Sequence, residues 1–205
     1  MATNRAGRKV QPRGESRREE LLKAAATLFA ERGYASTSIS DVASAVGVTQ
    51  QALLYYFGNK AGLLHAVIDQ RDGISLEFAR ELAELGGVAA LEQLPRYAHR
   101  NVADPDLARL FTVLVTENLQ PGDVAHDHFV TRYRNLRALI EQMITTGQQT
   151  GDFSAAVDPR LKATEILAFI EGLNTQWLLD PASVDLVATT ENFVTDLIQT
   201  LTKPA

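Results

Sequence analysis

Residues 36–64, STSISDVASAVGVTQQALLYYFGNKAGLL, constrain the fold more than any other stretch of the chain. Ile39, Val42, Ala43 and Val46 recur at the spacing of one face of a short helix. Ser38 with Asp41 forms an S-x-x-D start signal for it. Gly47 follows, a residue that tolerates the positive φ often needed where a chain leaves a helix. Thr49 can cap a second helix, with Leu53 and Phe57 turned inward and Gln50, Gln51, Ala52 and Tyr56 turned outward. Asn59 can then cap a third run that opens at Lys60. Two short helices joined by a tight turn are the pattern of a helix-turn-helix, in which one helix braces and the next enters the major groove of DNA.

The outward residue types suit that task. A glutamine amide pairs bidentately with adenine and an alanine methyl meets the thymine methyl, which makes Gln50, Gln51 and Ala52 candidate base readers. Thr49, Tyr55, Tyr56, the helix-start amides and the entry residues Thr37 and Ser38 are candidate phosphate contacts, which fix register rather than sequence. Lys60 can neutralise a phosphate.

The chain carries a formal charge of −5, unevenly spread: residues 1–60 are net +4 and residues 61–205 net −9. A basic leading third on an acidic body directs that end towards phosphate. Residues 1–15 hold Arg5, Arg8, Lys9 and Arg13 among Gly and Pro, the composition of a flexible arm. Such an arm either enters the minor groove or remains a solvated tail; Arg17, just beyond it, carries the same two readings. Ser16 and Glu19 form a capping box for a helix to about Arg32, with Leu21, Leu22, Ala25, Leu28 and Phe29 as its apolar stripe and Gly33 as its end.

Further on, a long helix is expected from Lys60 towards Leu85, then a break at Gly86-Gly87, and a helix over about 123–149 ending at Gly151. Asp104-Pro105, Asp158-Pro159 and Asp180-Pro181 each place a capping Asp before a Pro at the first helical position, the last opening a helix over 182–202. No alternating strand pattern occurs, so the expected fold is all-α with about nine helices. The expected division is an arm at 1–15, a reading head at 16–60 and a helical body at 61–205. There is no cysteine, no apolar N-terminal signal and no run of about 18 apolar residues. A cytoplasmic protein without membrane or cofactor is expected. No nucleophile elbow, phosphate loop or dinucleotide fingerprint is present, which argues against an enzyme. His126-x-His128 has poor spacing for one helix face and no HExxH or cysteine beside it, so no metal site is assigned.

Phe29, Gly33, Tyr34, Thr37, Ile39, Val42, Ala43, Gly47, Val48, Thr49, Leu53, Tyr55, Tyr56, Phe57, Lys60 and Leu64 together resemble the TetR family of transcriptional regulators. The likeness spans Glu19 to His65. Leu54 departs from it, because many members carry a phosphate-contacting tyrosine there. The resemblance implies a homodimer on a palindromic double-stranded operator, with a C-terminal body that encloses a pocket for an unknown small molecule. Candidate pocket walls are Phe78, Tyr97, Phe111, Leu114, Tyr133, Met143, Phe169, Asn174 and Trp177, with plain core packing as the competing assignment. Candidate interface residues are Leu161, Thr164, Leu167, Ala168, Glu171 and Thr175 on one helix and Phe193, Val194 and Leu197 on the next; an intramolecular core fits many of them equally well. The leading functional expectation is a repressor released from its operator by a ligand. The alternatives are a ligand-independent regulator or activator, and a helical ligand-binding module that has lost DNA binding.

Overall fold

A computed structural model describes residues 13–202, with side chains from Glu15 onward. Arg5, Arg8 and Lys9 lie outside the described residues, as does the Arg13 side chain. Ten helices follow one another: α1 (Arg13–Ser36), α2 (Ile39–Val46), α3 (Gln50–Phe57), α4 (Lys60–Leu85), α5 (Gly87–Glu92), α6 (Pro95–Ala103), α7 (Pro105–Thr116), α8 (His126–Thr150), α9 (Pro159–Leu179) and α10 (Leu186–Thr202). There is no strand among the described residues. The fold is all-α, as the sequence implies.

The local chemistry of each boundary explains most of these ends. Ser38 and Asp41 close a reciprocal capping box, in which each backbone N–H donates to the other residue's side chain (2.7 and 3.1 Å). The hydroxyl and amide of Ser38 hold the Asp41 carboxyl below its ordinary value. Asp158 accepts from the amides of Arg160 and Leu161, so the Asp-Pro device works there. At Asp104-Pro105 a helix also begins, but the Asp side chain makes no capping bond; its carboxylate lies 3.6 Å from Arg71 instead.

Two expectations fail at boundaries, and a third shifts by a few residues. Ser16 does not open α1, because the backbone is already helical from Arg13. Asp180-Pro181 opens a turn and no helix: Asp180 ends α9 by donating its N–H to Gln176, and α10 starts only at Leu186, where Asp185 accepts from the Ala188 amide. Asp123 likewise closes a turn, accepting from the Gln120 amide, and α8 starts three residues later at His126.

Packing forms three apolar clusters. The first joins Leu21, Leu22 and Phe29 of α1, Val42 of α2, Leu53 of α3 and Leu63, Leu64, Val67 and Ile68 of α4. Leu107, Leu110, Phe111 and Leu114 of α7 belong to the same cluster, so packing runs across residue 60 without a gap. The second lies between α4, α5, α8, α9 and α10 around Leu91, Ile144, Ile166 and Leu201. The third packs Trp177 with Ala98, Ala108, Leu173 and Leu186. No helix among the described residues is long and apolar enough to cross a membrane.

Candidate nucleic-acid interface and ligand cavity

The turn between α2 and α3 is built on Gly47, at φ 70° and ψ 37°, whose N–H donates back to the end of α2. The Val48 amide donates to the Ala43 carbonyl (3.0 Å), and Thr49 caps α3 by accepting from the Ala52 amide (3.2 Å). Leu53 and Phe57 are buried against α1 and α4, while Arg18 lies 5.5 Å over the Phe57 ring. With its rear face held, α3 presents Thr49, Gln50, Gln51 and Tyr55 to solvent. Tyr55 is 86% exposed, so its ring and hydroxyl are both open to solvent. Tyr56 is half-buried, edge-on to Tyr55.

Thr37 does not fit the expected phosphate contact. It is buried, and its hydroxyl donates to the Gly33 carbonyl (2.8 Å), with the Leu28 carbonyl 3.3 Å away, closing the end of α1. Ser38 is exposed but committed to its capping box. Lys60 donates to the Ala35 carbonyl (3.2 Å) and rests 4.2 Å from the centre of the Tyr34 ring, with further protons left to donate. Asn59 caps α4 by accepting from Gly62 (2.8 Å).

In the body, α4, α6, α8 and α9 line a cavity of about 60 Å³. Of the expected walls, Phe78, Tyr97 and Met143 line it. The others do not. Phe111 and Leu114 are core under α1, and Trp177 is core between α6, α7 and α9. Phe169 stacks on Phe193, with ring centres 3.6 Å apart. Asn174 lies one layer behind: it accepts from Asn101 (2.9 Å) and donates to the Tyr97 hydroxyl (3.3 Å). Tyr133 faces grooves outside the cavity.

Arg132, missed by the sequence reading, lines the cavity instead. It is 4% exposed, pairs with the buried Asp72 of α4 and lies 4.1 Å over the Phe111 ring of α7. His128 flanks the pair, 3.7 Å from Asp72 and 3.6 Å from Asp69, and burial lowers its pKa. The available signal was a stripe: Arg132, Leu136, Leu139 or Ile140, and Met143 share one face of α8.

Glu171 and Leu167, expected at an interface, also line the cavity. Val194 and Leu197 are buried in the second cluster and Phe193 packs against it, so this face of α10 is turned inward. Leu161, Thr164, Ala168 and Thr175 do lie exposed along one side of α9, joined there by Gly172 and Leu179.

A helix-turn-helix held on a helical body with a mostly apolar cavity defines a DNA-binding regulator. Comparison with known proteins agrees. A family model described as bacterial regulatory proteins, tetR family, matches residues 21–67, and one described as BetI-type transcriptional repressor, C-terminal, matches residues 103–203. The chain is 27% identical to the probable HTH-type transcriptional regulator ArpR of Pseudomonas putida, covering 91% of this chain and 92% of that one. It is 25% identical to NalD, described as the secondary repressor of the MexAB-OprM multidrug efflux pump in Pseudomonas aeruginosa, with a TM-score of 0.75 over 92% of this chain and 96% of that one. The regulator FadR of Bacillus subtilis, solved in complex with stearoyl-CoA, shares the fold at 23% identity and a TM-score of 0.75, over 88% and 96% of the two chains. This chain belongs to the TetR family of transcriptional regulators.

Proposed function

We propose that the protein is a cytoplasmic repressor that binds a two-fold symmetric operator as a homodimer and lets go when a small, mostly apolar molecule enters the body. The observation that carries this reading is α3: a helix braced from behind by α1, α2 and α4 that offers Gln50, Gln51 and Tyr55 outward at the basic end of an acidic chain. In this reading Gln50, Gln51 and Ala52 read base edges, while Thr49, Tyr55, Tyr56 and Lys60 hold phosphates. Residues 16–60 act as the head and 61–205 as the body.

The cavity supports the ligand half of the proposal. Its walls are apolar except for Arg132, Glu171, Tyr97 and Ser75, the mixture that orients a small molecule. Its open room of about 60 Å³ holds a few waters, while ligand sites commonly run to roughly 300–1,000 Å³. A ligand of ordinary size therefore has to part the lining helices, and α4 among them leads directly to the reading head. That is differential binding between two arrangements, the requirement for a population shift. The related NalD is itself named a repressor of an efflux pump, which favours repression over activation here.

The exposed strip of α9, with Leu161, Ala168, Gly172 and Leu179 along it, supports a second copy docking there. One short helix reads few base pairs, and two heads about 34 Å apart supply the rest. Selection from random-sequence duplexes tests the whole reading. It should return two inverted half-sites one helical turn apart. Recovery of a single unsymmetric site, or of no enriched sequence, would count against it.

A further inference from the structure

We propose that Glu117, at the end of α7 in the body, sets the angle at which the reading head is held and thereby the half-site spacing the protein accepts. The proposal rests on the operator reading above. Its basis is one corner of the fold. At Gly33, with φ 79° and ψ 165°, α1 leaves the helical conformation before its last turn. The two amides that follow turn to a residue more than eighty positions away: Tyr34 N–H donates to Glu117 Oε2 (2.7 Å) and Ala35 N–H to Glu117 Oε1 (3.4 Å). Bonds from amides to a carboxylate are charge-assisted, and two of them on one carboxylate fix direction as well as distance.

The fit is close. A Cβ placed on Gly33 would lie 2.4 Å from Glu117 Oε1. The carboxylate therefore occupies room that only a bare glycine leaves, and the same glycine supplies the positive φ. Lys60 grips the corner from the other side, through the Ala35 carbonyl and the Tyr34 ring. Two residues later Thr37 seals the turn, and α2 begins at Ile39. The direction of this corner sets that of α2 and, through the Gly47 turn, that of α3.

Glu117 also stands at the end of a helix that touches one wall residue of the cavity, Arg132. Phe111 of α7 lies under the Arg132 guanidinium, which lines that space and holds Asp72 of α4. The segment after Glu117 touches α4 as well: His65 Nε2, which must carry the proton there, donates to the Val124 carbonyl (2.9 Å). A displaced Arg132 thus has two routes to the head, one along α4 and one along α7 to Glu117. The second acts on the head's angle and not on its recognition surface, which makes Glu117 a positioning residue.

The test uses the full chain and duplexes that carry the selected half-sites at their natural spacing, or with one or two base pairs added or removed. Each pair shifts the second site by about 3.4 Å and turns it around the axis. Wild-type protein should prefer its own spacing by roughly tenfold, about 1.4 kcal/mol. Glu117→Ala should flatten that preference to within about twofold while binding a duplex with a single half-site as wild type does. Glu117→Gln keeps one acceptor and should fall between; it also serves if the alanine variant does not fold. A variant that keeps the wild-type spacing profile overturns the proposal, as does a wild-type protein indifferent to spacing. A wild type that binds no duplex at all sinks the operator reading itself, a different failure.

Discussion

At the scale of single residues, the proposed function divides the side chains on and beside α3 into readers such as Gln51 and anchors such as Lys60 at the start of α4. Gln51 is exposed near the start of the helix, where a bidentate adenine contact contributes about 1–3 kcal/mol of discrimination. Gln51→Ala should therefore narrow the gap between cognate and altered duplexes. Lys60→Ala should weaken all sequences and lower the salt slope by roughly one. Equal loss on every duplex for both variants would contradict the division. The buried pair in the body gives a stability prediction. Arg132 and Asp72 are 4% and 5% exposed, so Arg132→Met strands a carboxylate and should cost on the order of 3–5 kcal/mol in chemical denaturation. Arg132→Met with Asp72→Asn should be milder than the single change, because the Asp72 carboxylate is removed together with its partner. A double variant as unstable as the sum of the singles would show that the pair is not the unit described.

Elements are where sequence and structure can be compared most usefully. The α2–turn–α3 unit was legible because every signal in it is local: Ser38 and Asp41 cap across one turn, Gly47 takes φ 70°, and Thr49 caps the next helix. A methyl group on Gly47 would meet only open space, so Gly47→Ala should register backbone strain alone, about 1 kcal/mol by thermal or chemical unfolding. A cost near zero would mean that the turn relaxes. The body was less legible, because its assignments depend on which face of each helix turns inward. Arg132 reads as a surface arginine until α4 and α7 close over it with Asp72 and Phe111. Val194 and Leu197 read equally well as interface or core until α10 packs against α5 and α9. Asp180-Pro181 repeats a working capping signal, yet the end of α9 has already claimed its Asp.

The cavity lining on α9 shows the same dependence on partners and gives a pH prediction. Burial raises the Glu171 carboxyl above its ordinary value, with the Arg132 charge and a hydrogen bond to Tyr133 pulling it back. The folded state thus binds this proton more tightly than the unfolded one, for which about 4.3 is typical. Above that value ionisation costs stability; below it the cost vanishes. Glu171→Gln should therefore stabilise the protein at pH about 8 and make little difference near pH 4, as followed by denaturation across that range. A variant less stable than wild type at pH 8 would mean that the carboxylate makes a net favourable contact there.

For the molecule as a whole, charge and shape point the same way. The leading sixty residues are basic and the remainder acidic, which orients the chain on a polyanion. One apolar cluster extends from α1, α2 and α3 through α4 into α7, which gives the proposed function a continuous packed path from α4 and α7 to α3. The most direct measurement is the affinity of the purified protein for its selected duplex and for a random one, across a series of salt concentrations. The account predicts tight binding to the selected duplex, weaker binding to the random one and a log–log slope of several counterions for both. It also predicts that Gln50→Ala with Gln51→Ala abolishes the difference between the duplexes while leaving the slope in place. Failure to bind either duplex at low salt, or an undiminished difference in the double variant, would contradict it.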